Sequence, residues 1–184
     1  MFLSADTTDP LRLVDRGLVD GRVVLFAGNE LTIITPTDNP AGVTVPTDLA
    51  RDGLRVVAAR DGVPLTRYAT QLIENIASQP GARPDFAAGY AANVVSKEDS
   101  ASAVRTKIEL GEGDAALVYA TDAAASEAVE TIPIPDEANA TATYAGVVVA
   151  ASRHRPEARA FLEWMADGAG QGILADLGFL PPAP

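Results

Sequence analysis

The sequence of 184 residues is long enough for one ordinary domain or two small lobes, and its hydrophobic content of 47% predicts a folded core. Its formal net charge of −11 disfavours nucleic acid and anionic membranes as partners, and the absence of cysteine excludes disulfides and thiolate metal sites. No apolar run reaches the length of a membrane-spanning helix, and the start, MFLSADTTDP, lacks a signal-peptide pattern, so we expect a soluble chain without an export signal.

Strand-like and helix-like segments alternate in the first half of the chain. The β-branched runs RVVLFAG, ELTIITP and LRVVAARDG are bounded by glycine and proline and predict three strands. Pro64 then opens a predicted helix, since proline is favoured at the first helical position. Its apolar positions share one helical face: Tyr68, Leu72, Ile73 and Ile76.

The second half continues in the same way. FAAGYAANVVS leads to a predicted helix from about Ser100 that ends at Gly111. A strand at 115–119 ends on a tyrosine, and a helix begins near Thr121. Residues 130–143 are the longest irregular stretch and predict a connection between lobes or sheet edges. The strand TYAGVVVAAS and two terminal helices follow, the second around Ile173 and Leu174 and the first with four apolar positions: Ala158, Phe161, Leu162 and Met165.

This alternation predicts an α/β fold with largely parallel strands and right-handed crossovers. In such sheets ligands bind beyond the carboxyl ends of the strands, where helix N-termini point into the crevice. Three strand-to-helix corners are candidates, at residues 62–65, 99–101 and 119–121. Several helix N-termini converging on one point could hold an oxyanion without lysine or arginine, although every α/β protein has such corners.

The sequence lacks the residue patterns that usually identify an enzyme. The single histidine, His154, lies among charged residues ahead of a helix opened by Pro156, which indicates a solvated loop rather than a catalytic site. Glu98 and Asp99 are expected in the first turn of a helix, where acids favour the helix dipole, with catalysis as the alternative. We therefore expect no enzymatic activity.

Five segments in their order and spacing are similar to the periplasmic molybdate-binding proteins of ABC transporters. The resemblance covers essentially the whole chain, and the combination of the third segment with the GQGILADLGF part of the last is its most specific feature. The segments are LFAGNELTIITP, VPLTRYA, RTKIELGEGDAALVYATDA, IPDEANATATYAGVVVA and ARAFLEWMADGAGQGILADLGF.

The resemblance implies a type II periplasmic binding protein, an α/β fold of two lobes with mixed, mostly parallel sheets. Such a protein closes on molybdate or tungstate as its ligand, uses no cofactor and delivers the oxyanion to the membrane permease of an ABC transporter. It implies binding through neutral donors: the hydroxyl of Tyr119 and the backbone amides of Leu65 and Ala101, with Ser100 as the alternative to Ala101. Molybdenum would be held only as its oxyanion, without direct metal ligands.

The resemblance begins after the segments that carry two serine turns in this family. It therefore implies a remnant of the first lobe at 1–31, a complete second lobe at 32–144 and a return to the first lobe at 145–184. We expect the incomplete lobe to be poorly packed or to self-associate, with apolar residues such as Phe161 and Leu162 exposed. The complete protein would be periplasmic or extracellular and membrane-associated.

Three alternatives stay open. The ligand could be another tetrahedral oxyanion such as sulfate, because the sequence does not show the dimensions of the cleft. The chain could be a ligand-sensing domain of the same architecture, for which the sequence shows no attached DNA-binding segment. An enzyme acting in the same cleft would need acid and base groups with shifted pKa values, which the candidate site does not offer.

Overall fold

The computed structural model describes residues 1–182, which form eight strands, seven α-helices and one 3-10 helix. The strands are β1 (Phe2–Ser4), β2 (Val24–Asn29), β3 (Leu31–Pro36), β4 (Val56–Ala59), β5 (Val94–Glu98), β6 (Ala115–Tyr119), β7 (Val129–Ile132) and β8 (Ala142–Val147). The helices are α1 (Thr8–Asp15), α2 (Pro64–Ala77), α3 (Phe86–Asn93), α4 (Ala101–Glu109), α5 (Ala120–Ala124), α6 (Arg155–Ala166) and α7 (Gly168–Asp176), with the 3-10 helix at Pro46–Ala50.

The chain divides into two compact units. The larger unit is the continuous segment Glu30–Ala140, and the smaller unit combines Met1–Asn29 with the chain from Thr141 onward. Each unit contains its own sheet, of five strands in the larger unit and three in the smaller.

The sheet of the larger unit has the strand order β5-β4-β6-β3-β7. Strand β4 is parallel to both β5 and β6, whereas β3 is antiparallel to β6 and β7. The expected mixture of parallel and antiparallel strands is confirmed. The expectation of mostly parallel strands is wrong, because four of the six strand pairings among residues 1–182 are antiparallel.

Strand β6 forms the centre of the larger core, and all five of its residues are buried. The chain steps from β4 outward to β5 through α2 and α3, and then back past β4 to β6 through α4. Because such crossovers are right-handed, the two connections lie on opposite faces of the sheet. Covered on both faces, β6 has the continuous apolar sequence typical of a central parallel strand.

Helix α2 begins at Pro64, as predicted, because proline has no N–H to lose in the first turn. The predicted inward positions Leu72, Ile73 and Ile76 are buried, and Tyr68 is half-buried. Leu65 is also buried, so the inward face of the helix extends into its first turn. This burial fixes the first turn of α2 against the sheet.

The smaller unit is an antiparallel sheet of order β1-β8-β2. In α6, Ala158, Leu162 and Met165 are buried against Phe26 and Val148 in one apolar cluster. Phe161 is 42% exposed, as expected, although it was predicted on the same helical face as these three, and it stacks on Trp164, which is 41% exposed. The expectation that Leu162 would be exposed is wrong, since Leu162 is 1% exposed.

Two other expectations need correction. Residues 130–143 are not irregular throughout, because β7 pairs with β3 over Val129–Ile132 and β8 begins at Ala142. Glu98 and Asp99 do not lie in the first turn of a helix: Glu98 ends β5, and Asp99 precedes the N-cap residue of α4. Asp99 instead forms an ion pair with Arg60.

His154 lies at the N-cap position of α6, with its side chain 81% exposed and 4.0 Å from Glu157. The predicted solvated position is therefore confirmed. Within residues 1–182, no helix is long and apolar enough to cross a membrane.

Candidate functional site

Three helices of the larger unit begin at one edge of its sheet. Strands β5, β4 and β6 are neighbours and run parallel, so their carboxyl ends lie at the same edge. Helix α2 follows β4, α4 follows β5 and α5 follows β6. Since neighbouring strands lie about 4.8 Å apart, the ends of the three strands span roughly 10 Å. The three predicted strand-to-helix corners are confirmed, and they share the carboxyl edge.

The loops after β4 and β5 are tied together. The backbone N–H of Arg60 donates to the carbonyl of Glu98 at 2.8 Å, and the Arg60 guanidinium pairs with Asp99. Asp61, the residue after Arg60, pairs with Lys97 of β5 at 3.1 Å. The acidic residues of these loops, Asp61 and Asp99, are therefore paired with Lys97 and Arg60 rather than with the first turns of α2 and α4.

Thr66 anchors the first turn of α2. Its hydroxyl donates to two carbonyl oxygens, that of Arg60 at 2.8 Å and that of Ala59 at 3.1 Å. The hydroxyl therefore joins the helix to the end of β4. Leu65, one residue earlier, is buried, with 1% of its surface exposed. Its N–H belongs to the first turn, where backbone donors have no partner within the helix.

Ser100 caps helix α4. Its Oγ accepts a hydrogen bond from the N–H of Ala103 at 3.1 Å, and its carbonyl accepts from Val104 at 3.1 Å. The serine hydroxyl can still donate its own proton, because the cap uses only an oxygen lone pair. Ser100 and Ala101 are both half-buried, and the N–H of Ala101 lies at the first position of the helix. Ser100 and Ala101 therefore both remain candidates at this corner.

Tyr119 is the last residue of β6 and the N-cap residue of α5. It is 4% exposed, and its ring packs edge to face on Tyr68 with a centroid distance of 6.4 Å and an interplanar angle of 67°. Tyr68 belongs to the second turn of α2, so this contact places Tyr119 beside the helix that carries Leu65. The next residue is held by a hydrogen bond from the Ala120 N–H to the carbonyl of Glu30 at 2.9 Å.

Arg105 connects α4 to α5. One guanidinium nitrogen donates to the carbonyl of Asp122 at 3.0 Å, and the Nε lies 2.9 Å from the carboxylate of Glu109. Burial raises the pKa of Asp122, and the nearby Arg105 opposes this rise. The three helices of the carboxyl edge are thus joined in pairs, α2 to α4 through the loops around Arg60 and α4 to α5 through Arg105.

The donors at this edge suit a small anion better than a metal ion. Backbone N–H groups of helix first turns and hydroxyl groups donate hydrogen bonds, and a helix N-terminus carries a partial charge of about +0.5. Metal cations need oxygen, nitrogen or sulfur lone pairs instead. Across residues 1–182, no group of three or more His, Cys, Asp or Glu side chains could hold a metal ion.

The roles of Thr66, Arg60 and Arg105 were not predicted from the sequence. Thr66 could have been suspected from its place in the first turn of a proline-started helix, where a hydroxyl can reach the preceding loop. The contacts of Arg60 with Asp99 and of Arg105 with Asp122 depend on which strands are neighbours. The order of the strands in the sheet cannot be predicted from local sequence.

Comparison with known proteins gives the chain a family context. The family model described as bacterial extracellular solute-binding protein matches residues 1–180. The molybdate-binding protein ModA of Mycobacterium tuberculosis strain H37Rv is 33% identical over 183 residues. The alignment covers 99% of this chain and 66% of that relative, so the chain spans slightly less than two thirds of its length. These relatives are solute-binding proteins rather than enzymes.

Two solved structures establish the fold. The periplasmic molybdate-binding protein of Azotobacter vinelandii superposes with a TM-score of 0.77 and 20% identity, covering 99% of this chain and 78% of that one. The sulfate-binding protein SubI of Mycobacterium tuberculosis H37Rv superposes with a TM-score of 0.80 and 22% identity, covering 98% of this chain and 68% of that one. The predicted α/β fold of the two-lobed periplasmic binding proteins is confirmed by these likenesses.

Proposed function

We propose that this chain, which belongs to the family of bacterial extracellular solute-binding proteins, binds molybdate or tungstate at the carboxyl edge of β4, β5 and β6. The observation that carries the proposal is the arrangement of three neighbouring parallel strands, each followed directly by a helix, with Tyr119 ending the strand beside β4. The name of the relative that is 33% identical supports the choice of oxyanion.

In this proposal the oxyanion is held by neutral donors. The backbone N–H groups of Leu65 and Ala101 and the hydroxyl of Tyr119 each donate to one oxo atom, with the Ser100 hydroxyl as the alternative donor at its corner. Hydrogen bonds to a charged acceptor contribute about 1.5–3 kcal/mol each, so a few of them can replace the hydration of a small dianion. Molybdenum itself has no protein ligand in this arrangement.

A donor-only site also predicts selectivity between anions. Molybdate, tungstate and sulfate are fully deprotonated dianions at neutral pH, and all their oxygens accept hydrogen bonds. Hydrogen phosphate carries a proton that needs an acceptor. The backbone N–H groups cannot accept it, and a hydroxyl of Tyr119 or Ser100 that accepted it would no longer donate to that oxygen of the ligand. Burying that O–H without a partner costs about 1–3 kcal/mol.

Sulfate is the second candidate, and a specific observation favours it. The sulfate-binding protein SubI superposes with a TM-score of 0.80 over 98% of this chain. Sulfate presents the same four acceptors as molybdate on shorter bonds, so the two ligands would use the same donors.

We further propose that the two compact units correspond to the two lobes expected at 32–144 and at 1–31 with 145–184. The chain would act as a substrate-binding component that delivers its oxyanion to an ABC permease in the periplasm or at the outer surface of the cell membrane. A ligand-sensing domain of the same architecture would use the same anion site without a permease.

Calorimetric titration of the purified chain with molybdate, tungstate, sulfate and phosphate tests the proposal. We expect saturable binding of molybdate and tungstate with one site per chain, weaker binding of sulfate and no binding of phosphate. Tighter sulfate binding would move the assignment to the second candidate. The anion site itself would be contradicted by equal binding of phosphate or by the absence of heat with all four oxyanions.

A further inference from the structure

Arg105 is a mostly covered arginine between α4 and α5. Its side chain is 20% exposed, although arginine is rarely buried unless it is paired. The Nε atom lies 2.9 Å from the carboxylate of Glu109, one turn further along α4, and a terminal nitrogen donates to the backbone carbonyl of Asp122 in α5 at 3.0 Å. The charge of Arg105 is therefore balanced by its own helix, while its hydrogen bond reaches the neighbouring helix.

The carbonyl of Asp122 needs this partner because α5 is short. The helix covers only Ala120–Ala124, and the last carbonyls of a helix have no partner within it. The N–H of Ser126, which would donate to Asp122 if the helix continued, donates to Ala123 at 3.1 Å instead. Because a helix of five residues has few internal hydrogen bonds, its position depends strongly on contacts with its neighbours.

The bond from Arg105 joins two corners that the sheet does not join directly. Helix α4 starts at Ala101 after β5, and α5 follows immediately after Tyr119, the last residue of β6. Strand β4 lies between β5 and β6, so no ladder of backbone hydrogen bonds connects these two strand ends. Arg105 lies about one helical turn after Ala101, and its contact with α5 links the first turn of α4 to the helix that follows Tyr119.

Arg105 is not itself placed to bind the anion. A helix carbonyl points toward the C-terminal end of its helix, so the guanidinium bonds to α5 at the end away from Tyr119. With Glu109 beside it, Arg105 adds little net attraction for an anion. Its effect on the site would therefore come from geometry rather than from charge.

We propose that Arg105 is a positioning residue that fixes the separation between the α4 corner, which is Ser100 and Ala101, and Tyr119. In this way it sets the size of the oxyanion that the site prefers, an inference that rests on the proposed function. Molybdate and tungstate are larger than sulfate because their metal–oxygen bonds are longer. Hydrogen bonds weaken outside a narrow range of distances, so donors held at a fixed separation discriminate between the ions, whereas donors that can shift adapt to either.

Three variants and two anions test the proposal. Arg105→Leu removes the hydrogen bond, Arg105→Lys keeps a donor of similar reach, and Glu109→Gln is the matched control that removes only the ion pair. The ratio of the dissociation constants for sulfate and molybdate is measured by titration calorimetry, together with the urea midpoint of each chain. We expect the ratio to fall about threefold to tenfold in Arg105→Leu, the effect of one lost hydrogen bond, and to stay within about twofold of the original in the other two variants.

The ratio separates positioning from a merely structural role. A loss of stability alone lowers the urea midpoint and weakens both anions by the same factor, which leaves the ratio unchanged. The proposal is overturned by an unchanged ratio in Arg105→Leu. It is also overturned if the ratio falls as far in Glu109→Gln or in Arg105→Lys as in Arg105→Leu, because the hydrogen bond to α5 would then not be the cause.

Hydrogen exchange in the free chain distinguishes a failure of this inference from a failure of the proposed function. If Arg105 holds α5, the amides of Ala123 and Ala124 should exchange about threefold to tenfold faster in Arg105→Leu and at the original rate in Glu109→Gln. Unchanged exchange in Arg105→Leu would contradict the positioning role, whatever the anions do. Faster exchange without binding of either anion to the original chain would contradict the proposed function, and with it the role in selectivity.

Discussion

The two edges of the five-stranded sheet use their hydrogen-bonding groups in different ways. At the amino edge, where the parallel strands β4 and β6 begin, Arg55 and Asp114 immediately precede these strands. The two residues are joined by four contacts. The Arg55 backbone N–H donates to the Asp114 carboxylate at 2.8 Å, its guanidinium donates at 2.7 and 3.2 Å, and the Asp114 N–H donates back to the Arg55 carbonyl at 2.7 Å. The carboxyl edge instead ends in helix first turns and Tyr119.

The difference teaches where this fold can accept a ligand. The amino edge is closed by groups of the chain itself, and a Cβ added to Gly113 would lie 2.5 Å from a methyl group of Val57. At the carboxyl edge, Arg60 pairs with Asp99 and Lys97 pairs with Asp61, which leaves the helix donors to other partners. We therefore expect substitutions at the amino edge to change stability and substitutions at the carboxyl edge to change binding.

The largest effect is expected from Gly113→Val at the amino edge. The new side chain would collide with Val57 and would also lie 3.1 Å from Ile108, so strand and helix would have to move apart. We expect the free energy of unfolding to fall by about 2–3 kcal/mol, as measured by urea denaturation. Gly172→Ala is the control, since its added Cβ meets nothing within 4 Å. A Gly113→Val chain as stable as the original would contradict the tight packing of this edge.

Tyr119→Phe should have the largest effect at the carboxyl edge. Removing the hydroxyl should weaken molybdate binding about 10- to 100-fold, the range for one hydrogen bond to a charged acceptor, with little change in the urea midpoint. Tyr90→Phe is the comparison variant, because it also removes one phenol hydroxyl but from α3, which is not one of the three helices that follow β4, β5 and β6. An unchanged dissociation constant in Tyr119→Phe would remove this residue from the anion site.

Asp114→Asn should lower stability in a pH-dependent way. Burial alone would raise the pKa of Asp114, but the hydrogen bonds and charge of Arg55 outweigh it, so the pKa lies below its ordinary value of 3.8. The ionised group thus stabilises the fold above that value, and the contribution disappears as the pH falls through the lowered pKa. We expect the free energy of unfolding to fall by about 1 kcal/mol at pH 7. The effect is modest because the half-exposed Arg55 is partly screened by solvent.

Urea denaturation of the original chain and of Asp114→Asn should be measured at a series of pH values. The difference between Asp114→Asn and the original chain should shrink toward zero on the acid side of 3.8. Asp61→Asn provides the control, because its ion pair with Lys97 lies at the surface and is expected to contribute little at any pH. A difference that stayed constant with pH would show that the ion pair with Arg55 is not its cause.

The smallest effect is expected from Thr66→Val, which keeps the shape of the side chain and removes the hydroxyl that joins α2 to the end of β4. With the first turn less firmly placed, molybdate should bind about threefold more weakly, corresponding to the loss of a modest hydrogen bond. Thr66→Ser keeps the hydroxyl and should bind as the original chain does. If Thr66→Ser were weakened as much as Thr66→Val, the methyl group rather than the hydroxyl would position the turn.

Local sequence predicts the carboxyl edge better than it predicts the sheet. Pro64 marks the start of α2, and the run Ala115–Val118 marks the buried strand β6, because both signals act within a few residues. The antiparallel pairing of β7 with β3 could not be predicted in this way. It joins residues almost one hundred positions apart, and Pro133 and Pro135, which follow β7 closely, make the segment resemble a loop.

Side-chain roles show the same limit. Leu162 and Phe161 are adjacent apolar residues of α6, yet one is buried and the other is exposed, because only tertiary packing decides how wide the covered face of a helix is. Arg105 and Glu109 have the spacing of a helical ion pair, which sequence can predict. The bond from Arg105 to the carbonyl of Asp122 depends on the contact between α4 and α5 and could not be predicted.

Amide chemical shifts measured during a titration with molybdate test the central claim most directly. Two-dimensional ¹⁵N–¹H spectra of the labelled chain report on each backbone N–H separately, so they distinguish the carboxyl edge from every other region. The account predicts that the largest and saturable shifts belong to the amides of Leu65 and Ala101 and to those next to Tyr119, while the amides of Arg55 and Asp114 stay in place. Shifts concentrated at the amino edge, or at arginine side chains with the amides of Leu65 and Ala101 unmoved, would contradict it.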